Sequence, residues 1–289
     1  MRLFADTADQ GELEYCFSRG VSDGITTNPK IMEMAGISDF DAACARLLKK
    51  YPNVPVSLET DLRGIDVPKL EQVPAEEVRD VLLTQAYKIS KLGPNVVIKI
   101  PFCRGGLMAT RALSNRGIRT NVTATMNSSQ ALMATGAGAT YANIFVNRRI
   151  DEEILRLSGE DPTIILSDHP NWKARVKQAG PKYKEHAWDI VLDEIAYTAQ
   201  RLSGTETELI AASIRDPSDL YRIAKAGPQV ITIPTDILKR TEDVPGLRRM
   251  VVEKSGDVGP NNGTIYNNKM TRRTLLDFEE AADNAYRGE

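Results

Sequence analysis

Lys99 is the residue whose surroundings point most directly to chemistry. It lies in the apolar run Val-Val-Ile-Lys-Ile-Pro-Phe at residues 96–102, which is typical of a buried strand in a parallel sheet. Burying an ammonium group is costly unless it is paired or loses its proton, and a neutral lysine amine attacks carbonyl groups to form a Schiff base. The alternative is a structural lysine that snorkels from a strand end or pairs with an acid. Because Asp6 and Glu59 end two other predicted strands, we favour Schiff-base chemistry.

Histidine and cysteine, on which many other catalytic sites depend, are scarce. The two histidines, His169 and His186, lack the i, i+2 or i+4 spacing of a paired metal site and lie in polar stretches, so surface positions are expected. The three cysteines, Cys16, Cys44 and Cys103, are odd in number and widely spaced, which suits neither a disulfide framework nor a CxxC motif. The sequence therefore supplies few ligands for a metal ion and predicts a reducing, cytoplasmic location.

The composition is that of an ordinary folded chain. Of the 289 residues, 42% are hydrophobic and 26% are charged, which excludes a largely disordered or collagen-like protein. The 37 basic and 39 acidic residues give a formal net charge of -2, so no general positive field would attract a nucleic acid. No apolar run approaches the roughly 18 residues of a membrane span, and the opening MRLFADTADQ lacks a signal-peptide pattern. We expect neither a nucleic-acid nor a membrane partner.

Short runs rich in β-branched residues alternate with amphipathic stretches, which is the pattern of repeated βα units on a parallel sheet. Eight such repeats favour a (β/α)8 TIM barrel. An open doubly wound sheet is the alternative, but no GxGxxG follows the first strand and no GxxxxGK[ST] is present. The predicted strands span residues 3–6, 24–27, 54–59, 96–100, 119–123, 140–145, 208–212 and 229–233. The predicted helices span residues 9–19, 39–50, 75–92, 105–116, 128–135, 185–202 and 217–226.

Two segments exceed a minimal barrel. Residues from about 151 to 184 are too long for a plain loop and predict a helical insertion after strand six. A C-terminal extension, residues 253–289, follows the barrel domain of residues 1–252; it begins with turn-rich sequence and continues as a charged helix over 269–286. This helix is solvated, packs across the barrel mouth, or contacts a neighbouring subunit in a homo-oligomer, and the sequence leaves these alternatives open.

Polar side chains stand at the carboxyl ends of the predicted strands. In a barrel these ends share one mouth, where the catalytic residues of this fold lie. The mouth is therefore expected to be acidic near Asp6 and Glu59 and basic near Arg148 and Arg215. Further polar residues at these ends are Thr26, Asn28, Asn121, Thr123 and Ser213.

A series of motifs in the chain resembles the transaldolase family, including its fructose-6-phosphate aldolase branch. In order they are LFADTAD, DGITTNP, SLET, VVIKIP, GGLMATRALSNRGIRTNVTAT, QALMATGAGATYANIFVNR, IAASIRDP and ITIPTDIL. The resemblance covers residues 1–150 and 208–238, with the insertion and the tail outside it. It implies a (β/α)8 barrel that needs no cofactor or metal and moves a dihydroxyacetone unit between sugar phosphates through a lysine Schiff base. A role in carbohydrate metabolism, in the pentose phosphate pathway, follows from the same resemblance.

The resemblance also implies roles for individual residues. It places the Schiff-base lysine on Lys99, the general acid/base on Asp6 and the group that stabilises the carbinolamine on Asn28. Glu59 and Thr123 match the pair that holds a catalytic water in transaldolases, through which a carboxylate relays protons.

The remaining matched positions are assigned to substrate binding. Arg148 matches the arginine that clamps the substrate phosphate, and Ser213 and Arg215 complete a guanidinium and hydroxyl arrangement suited to phosphate oxygens. The polar positions Thr26 and Asn121 are assigned with them. Where the family commonly reads SPFVGR this chain reads NIFVNR, so Asn143 replaces a small hydroxyl residue near the nucleophile and is expected to alter substrate fit.

Two positions bear on the type of reaction. The aldolase branch has glutamine at the position of Glu59 and tyrosine at the position of Phe145, so this chain resembles transaldolases at both and favours transfer over free aldol cleavage. An aldolase that releases dihydroxyacetone, a specialised transaldolase for an unusual sugar, and an inactive barrel that binds sugar phosphates are the alternatives. Lys30, which follows TTNP in place of the common Ser or Thr, is expected at the surface.

Overall fold

Eight parallel strands form a closed barrel in which each strand pairs with its neighbours in sequence and the last pairs with the first. The computed structural model describes residues 1–161, 163–167, 171–241 and 269–286. This architecture confirms the predicted (β/α)8 fold. The strands are β1 (Arg2–Asp6), β2 (Gly24–Thr26), β3 (Val56–Glu59), β4 (Val96–Pro101), β5 (Thr120–Thr123), β6 (Tyr141–Phe145), β7 (Glu208–Ala212) and β8 (Val230–Ile233).

Helices follow the strands around the outside of the barrel. Two short helices that the sequence did not predict, α2 and α11, follow β2 and β8. Helix α2 begins at Pro29 and α11 begins after Pro234. Proline suits the start of a helix, because the first backbone N–H groups there have no partner within the helix. The helices are α1 (Gln10–Ser18), α2 (Pro29–Met34), α3 (Phe40–Lys50), α4 (Ala75–Ile89), α5 (Arg104–Ser114), α6 (Ser128–Gly136), α7 (Val146–Leu157), α8 (Ile164–Ser167), α9 (Trp172–Leu202), α10 (Pro217–Ala226), α11 (Thr235–Lys239) and α12 (Lys269–Tyr286).

The barrel interior contains two layers, because alternate residues of each strand point inward. The layer at the amino ends of the strands, here called the lower layer, is apolar. Its Phe4 and Tyr141 rings pack edge to face with their centroids 5.7 Å apart. A Cβ atom on Gly24 would lie 2.6 Å from the Phe4 ring, so glycine is required for this packing. The lower layer consists of Phe4, Val97, Tyr141, Ile210 and Val230.

The layer nearer the carboxyl ends of the strands is polar. Register pairing brings Glu59 opposite Lys99 and Lys99 opposite Asn121, while Asp6 lies opposite Thr26 on the other side. Polar residues of five strands, β1 to β5, therefore lie in this layer of the barrel. The outward faces of the strands are apolar and pack against the surrounding helices in the main core.

The insertion after β6 is helical, as predicted, but its helices extend beyond the predicted limits. Helix α7 begins directly at the end of β6 instead of near residue 151, so Arg148 and Arg149 lie in its first turn. Helix α9 continues without a break into the helix predicted to begin at 185 and has Pro181 inside it.

A buried network of charges joins α7 to α9. The Arg149 guanidinium donates from Nε to Glu194 at 3.1 Å and from Nη1 to Glu153 at 2.8 Å. The remaining oxygens are also occupied, since Glu194 Oε1 accepts from the Ser128 backbone N–H at 3.1 Å and Glu153 Oε1 accepts from Arg156 Nε at 2.7 Å. This network fixes the insertion against the barrel wall.

Helix α12 has the bounds that the sequence predicted and packs against α2, α7, α8 and the short 3-10 helix at Val67–Lys69. These elements surround the carboxyl ends of the strands, so α12 lies across the barrel mouth, which was one of the three predicted alternatives. The predicted boundary between barrel and extension, at residues 252 and 253, falls outside the described residues. None of the helices in the described ranges is long and apolar enough to cross a membrane.

Candidate active site

Lys99 lies inside the barrel with its side chain in contact with a carboxylate. Its Nζ atom is 2.9 Å from Glu59 Oε2 and donates a hydrogen bond to the backbone oxygen of Thr27 at 3.0 Å. Both charged residues are buried, with 4% of Lys99 and 5% of Glu59 exposed. The amine that the sequence singles out is thus shielded from bulk water and has a proton acceptor beside it.

Asp6 is the second carboxylate of this layer. Its Oδ1 accepts from the Thr26 hydroxyl at 2.7 Å, and the Thr26 hydroxyl is also hydrogen-bonded to Thr232. Loss of hydration raises the pKa of Asp6, and the charge of Lys99 and the hydrogen bond from Thr26 oppose this rise only in part. Thr26, predicted to bind substrate, therefore orients Asp6.

The pKa of Glu59 is raised to about 7, chiefly because burial disfavours the charged form. The positive charge of Lys99 lowers it, and the negative charge of Asp6 raises it further. Two carboxylates and one ammonium group share this layer, so one carboxylate holds or releases a proton near neutral pH. That behaviour suits general acid/base work.

The amide side chains of this layer form hydrogen bonds with one another. Asn121 donates to the Ser57 hydroxyl at 3.1 Å and accepts from Asn143, and the Asn143 amide also donates to the backbone oxygen of Val122 at 3.0 Å. The two predicted substrate-binding asparagines thus form one chain across β3, β5 and β6. Asn143 fills the space that a small hydroxyl residue would leave open.

Two predicted catalytic residues occupy the edge of the site. The Thr123 hydroxyl is buried without a hydrogen-bond partner among the described residues, which leaves it able to hold a ligand or water. Asn28 follows Thr27, and its Oδ1 caps α2 by accepting from the Ile31 N–H at 2.9 Å. Lys30 is exposed on α2, where the sequence placed it.

The predicted phosphate-binding residues surround the ends of β6 and β7, and both arginines are paired. Arg148 Nη1 is 2.8 Å from Asp277 of α12, and Arg215 makes a bidentate pair with Asp151 of α7 at 3.0 and 2.7 Å. Ser213 has a left-handed backbone with φ of 64°, and its carbonyl accepts from Asn147 at 2.9 Å. Side-chain carboxylates thus occupy both guanidiniums where the sequence predicted a phosphate.

Sequence reasoning missed the residues that α12 brings to the mouth. The Phe278 ring centroid is 5.7 Å from Lys99 Nζ and 6.4 Å from the Phe145 ring, with the two rings edge to face. Asp277 and Phe278 are adjacent in sequence, so one turn of α12 reaches both Arg148 and Lys99. The amphipathic pattern of α12 indicates a packed helix, but it does not indicate against what the helix packs.

A cleft of about 820 Å³ runs along one side of α12. It lies between this helix, the loop before α4 and the loop that follows β4, so it opens beside the carboxyl end of the strand that carries Lys99. Residues lining it include Phe102, Cys103, Gly105, Thr271, Arg272 and Leu275.

Of the other candidate ligands of the sequence, Cys103 lines the cleft beside this site. His186 is exposed on α9, as expected, and His169 lies outside the described residues. Cys16, Cys44 and Cys103 are free and buried. In the part of the chain that the structure describes, no three His, Cys, Asp or Glu side chains come together in a way that could hold a metal ion.

A buried lysine, two carboxylates and a set of arginines at the mouth of a (β/α)8 barrel define a site of the aldolase type. The sequence matches the family described as Transaldolase/Fructose-6-phosphate aldolase over residues 3–287. The chain belongs to this transaldolase and fructose-6-phosphate aldolase family. The match includes the insertion and the tail, so the expectation that both lie outside the resemblance was wrong.

Named relatives agree with this assignment. A probable transaldolase of Dehalococcoides mccartyi is 31% identical over 257 residues, covering 88% of this chain and 97% of its own. A probable transaldolase of Herpetosiphon aurantiacus is 32% identical over 240 residues, covering 83% and 86%. A solved structure described as "Native KDPGal structure" has a TM-score of 0.45 and 11% identity over 98% of this chain and 97% of that one, a likeness too weak to carry an argument.

Proposed function

We propose that this protein is a transaldolase that transfers a dihydroxyacetone unit from a ketose phosphate to an aldose phosphate through a Schiff base on Lys99. The observation that carries the proposal is the buried Lys99 amine, 2.9 Å from Glu59 and hydrogen-bonded to Thr27 in the interior of the barrel. Membership of the transaldolase and aldolase family supports it. The proposed reaction uses only protein side chains, and we propose sugar phosphates as its partners and the cytoplasm as its location.

The first half of the reaction forms an imine and then cleaves the C3–C4 bond of the ketose phosphate. The Lys99 amine adds to the C2 carbonyl of the ketose phosphate, and its proton passes to Glu59 through a water held by Glu59 and Thr123. The carbinolamine, stabilised by Asn28, loses water to give the imine. Asp6 then takes the proton of the C4 hydroxyl, the C3–C4 bond breaks, and its electron pair moves into the imine as an enamine while the aldose phosphate leaves.

The second half reverses these steps on a different aldehyde. The enamine on Lys99 attacks the aldehyde carbon of the acceptor, and Asp6 returns its proton to the new hydroxyl. Water then hydrolyses the imine, which frees the new ketose phosphate and restores the amine. Arg148, Arg215 and Ser213 lie at the ends of β6 and β7, where guanidiniums can hold the phosphate at the far end of the sugar.

The residue at position 145 favours transfer over release of free dihydroxyacetone. Phe145 packs edge to face on Phe278, whose ring centroid is 5.7 Å from Lys99 Nζ. A phenyl ring has no proton to give to the enamine, whereas a tyrosine hydroxyl has one. The enamine is therefore protonated slowly and waits for an acceptor aldehyde. An aldolase that releases dihydroxyacetone is the outcome expected if protonation is fast.

The experiment that tests this proposal combines imine trapping with an acceptor assay. Borohydride reduction with fructose 6-phosphate present should attach a three-carbon fragment to the peptide that contains Lys99, and Lys30→Ala, which removes an exposed lysine of α2, should trap equally well. Transfer to an aldose phosphate should be at least about tenfold faster than release of dihydroxyacetone, and Phe145→Tyr with Glu59→Gln should narrow this difference, on the usual scale of acid/base contributions.

Three outcomes would contradict the proposal. Label on a different lysine would place the nucleophile elsewhere. Full activity in Lys99→Ala would exclude the Schiff base on this residue. Equal rates with and without acceptor would move the protein to the aldolase branch.

A further inference from the structure

One carboxylate of α12 is held between two arginines at the barrel mouth. Asp277 Oδ2 accepts from Arg148 Nη1 at 2.8 Å, and Asp277 Oδ1 accepts from Arg273 Nε at 2.8 Å and Nη2 at 2.6 Å. Partial burial raises the pKa of Asp277, but the charge of Arg148 and hydrogen bonds from both arginines outweigh this effect, so the pKa is lowered. Both guanidiniums thus bind the Asp277 carboxylate, and they stabilise its ionised form.

The same donors suit a phosphate monoester. Three N–H groups from two guanidiniums converge on the carboxylate, and forked guanidinium donors match phosphate oxygens as well as they match carboxylate oxygens. Arg273 is 6% exposed, so the protein already holds its guanidinium away from bulk water. Its other carboxylate neighbour, Glu280 at 3.4 Å, is largely exposed, and its effect is weakened by solvent.

The phosphate and the Asp277 carboxylate compete for the same place. A phosphate monoester carries about -1.5 to -2 charges at neutral pH, so its binding beside a carboxylate on the same two arginines is opposed by repulsion. Phe278, the next residue, stands over Lys99 at 5.7 Å and covers the amine from the mouth side. When phosphate replaces the Asp277 carboxylate on Arg148, the Phe278 ring that covers Lys99 therefore also changes its position.

We propose that Arg273 joins Arg148 in binding the phosphate monoester, that Asp277 is the internal anion that occupies these two arginines at rest, and that substrate phosphate displaces Asp277 and with it the Phe278 cover of Lys99. This inference rests on the proposed function for the identity of the phosphate compound as a substrate. It adds Arg273, from the C-terminal helix, to the residues that bind phosphate.

The decisive variant is Asp277→Asn, which removes the charge and keeps the size of the side chain. Binding of inorganic phosphate is measured by calorimetry, and KM is measured for glyceraldehyde 3-phosphate and for unphosphorylated glyceraldehyde as acceptors. We expect Asp277→Asn to tighten phosphate binding and to lower KM for the phosphorylated acceptor by about fivefold or more, because a competing state is removed. KM for glyceraldehyde should fall by a smaller factor, because this acceptor gains only from the loosened Phe278 cover.

The matched control is Glu280→Gln, which removes a carboxylate from the same helix at its exposed rim. We expect it to change phosphate binding by less than about twofold, because an exposed charge acts weakly. In Arg273→Gln, KM for the phosphorylated acceptor should rise about tenfold or more, with KM for glyceraldehyde unchanged.

Equal changes for both acceptors in Asp277→Asn, or weaker phosphate binding, would show that Asp277 only fastens α12 and would overturn the inference. An unchanged phosphate affinity in that variant would overturn it as well. Calorimetry with inorganic phosphate does not depend on Lys99 chemistry. Failure of imine trapping with the expected phosphate result would therefore contradict the proposed function alone.

Discussion

The protein contains two buried clusters of opposite charges that differ in how completely they are paired. In the insertion, Arg149 is surrounded by Glu152, Glu153 and Glu194, and every oxygen of the last two accepts a hydrogen bond. In the barrel interior, Lys99 Nζ lies 2.9 Å from Glu59 Oε2, and the Thr123 hydroxyl has no partner among the described residues.

The pKa values of Glu153 and Glu59 follow this difference, whereas burial raises the pKa of Glu194 despite its bonds to Arg149 and the Ser128 N–H. Burial raises the pKa of Glu153, but hydrogen bonds and charge from Arg156 and Arg149 outweigh it, so the pKa is lowered. The pKa of Glu59 is raised to about 7, because burial prevails over Lys99. Buried charge therefore does not by itself mark a functional site. The feature that distinguishes the barrel cluster is the buried Thr123 hydroxyl, which has no hydrogen-bond partner among the described residues.

The largest expected effect is a loss of activity, which should arise from the Lys99 cluster and not from the Arg149 cluster. Lys99→Met should lower the rate of transfer by about 10³-fold or more, because the nucleophile is lost. The free energy of unfolding should change by less than about 2 kcal/mol, since Glu59 takes up a proton once its partner is gone. Steady-state kinetics and urea denaturation measure the two quantities, and a rate within tenfold of the unmodified protein would break the comparison.

The corresponding change in the other cluster should act on stability. Arg149→Met leaves Glu153 and Glu194 buried without their shared cation, which should cost about 3–5 kcal/mol in the free energy of unfolding. The folded fraction should retain kcat, because the network does not touch Lys99. Arg156→Met is the control, since this arginine is half exposed and its loss should cost about 1 kcal/mol or less. Equal destabilisation by the two variants would show that burial does not set the cost.

The smallest effect concerns pH. The pKa of Glu59 is raised to about 7, so at lower pH this residue holds a proton and cannot accept one from Lys99. The rate of imine formation should therefore fall as the pH drops from about 8 to about 6, and Glu59→Gln should be slower by about 10²-fold and flat over that range. Rapid-mixing kinetics with fructose 6-phosphate measures this, and a titration that persists in Glu59→Gln would assign it to another group.

The raised pKa of Glu59 affects the free energy of unfolding in the opposite direction to the rate of imine formation. The folded protein binds the Glu59 proton more tightly than the unfolded chain, whose ordinary pKa is 4.5, so folding takes up a proton between pH 4.5 and about 7. This contribution to stability is fully present at low pH and is lost as the pH rises through about 7. Activity and stability therefore respond to the ionisation of Glu59 in opposite directions.

The barrel was predictable from the sequence because each strand carries a local signal. The alternation of β-branched runs with amphipathic stretches predicted eight strands, and the strand ends brought Lys99, Glu59 and Asp6 to one layer. The short helix α2 was missed because its six residues, which begin at Pro29, are too few to show a helical period in the sequence.

The contacts of α12 were not predictable for a different reason. Arg148 and Asp277 are separated by 129 residues, and no local pattern connects them. An arginine at a strand end has the same appearance in sequence whether it binds a phosphate or a carboxylate of a distant helix. The helix itself was predicted to the residue, but its partner depends on the path of the whole chain.

The packed lower layer of the barrel has a consequence for the order in which substrates come and go. Phe4, Val97 and Tyr141, with their neighbours, close the amino end of the barrel, so Lys99 is reached only from the mouth. With a single entrance, the first aldose must depart before the second arrives, and both use the same space. If the proposed transfer reaction is correct, donor and acceptor alternate on the protein in a ping-pong sequence, in which excess of either one obstructs the other.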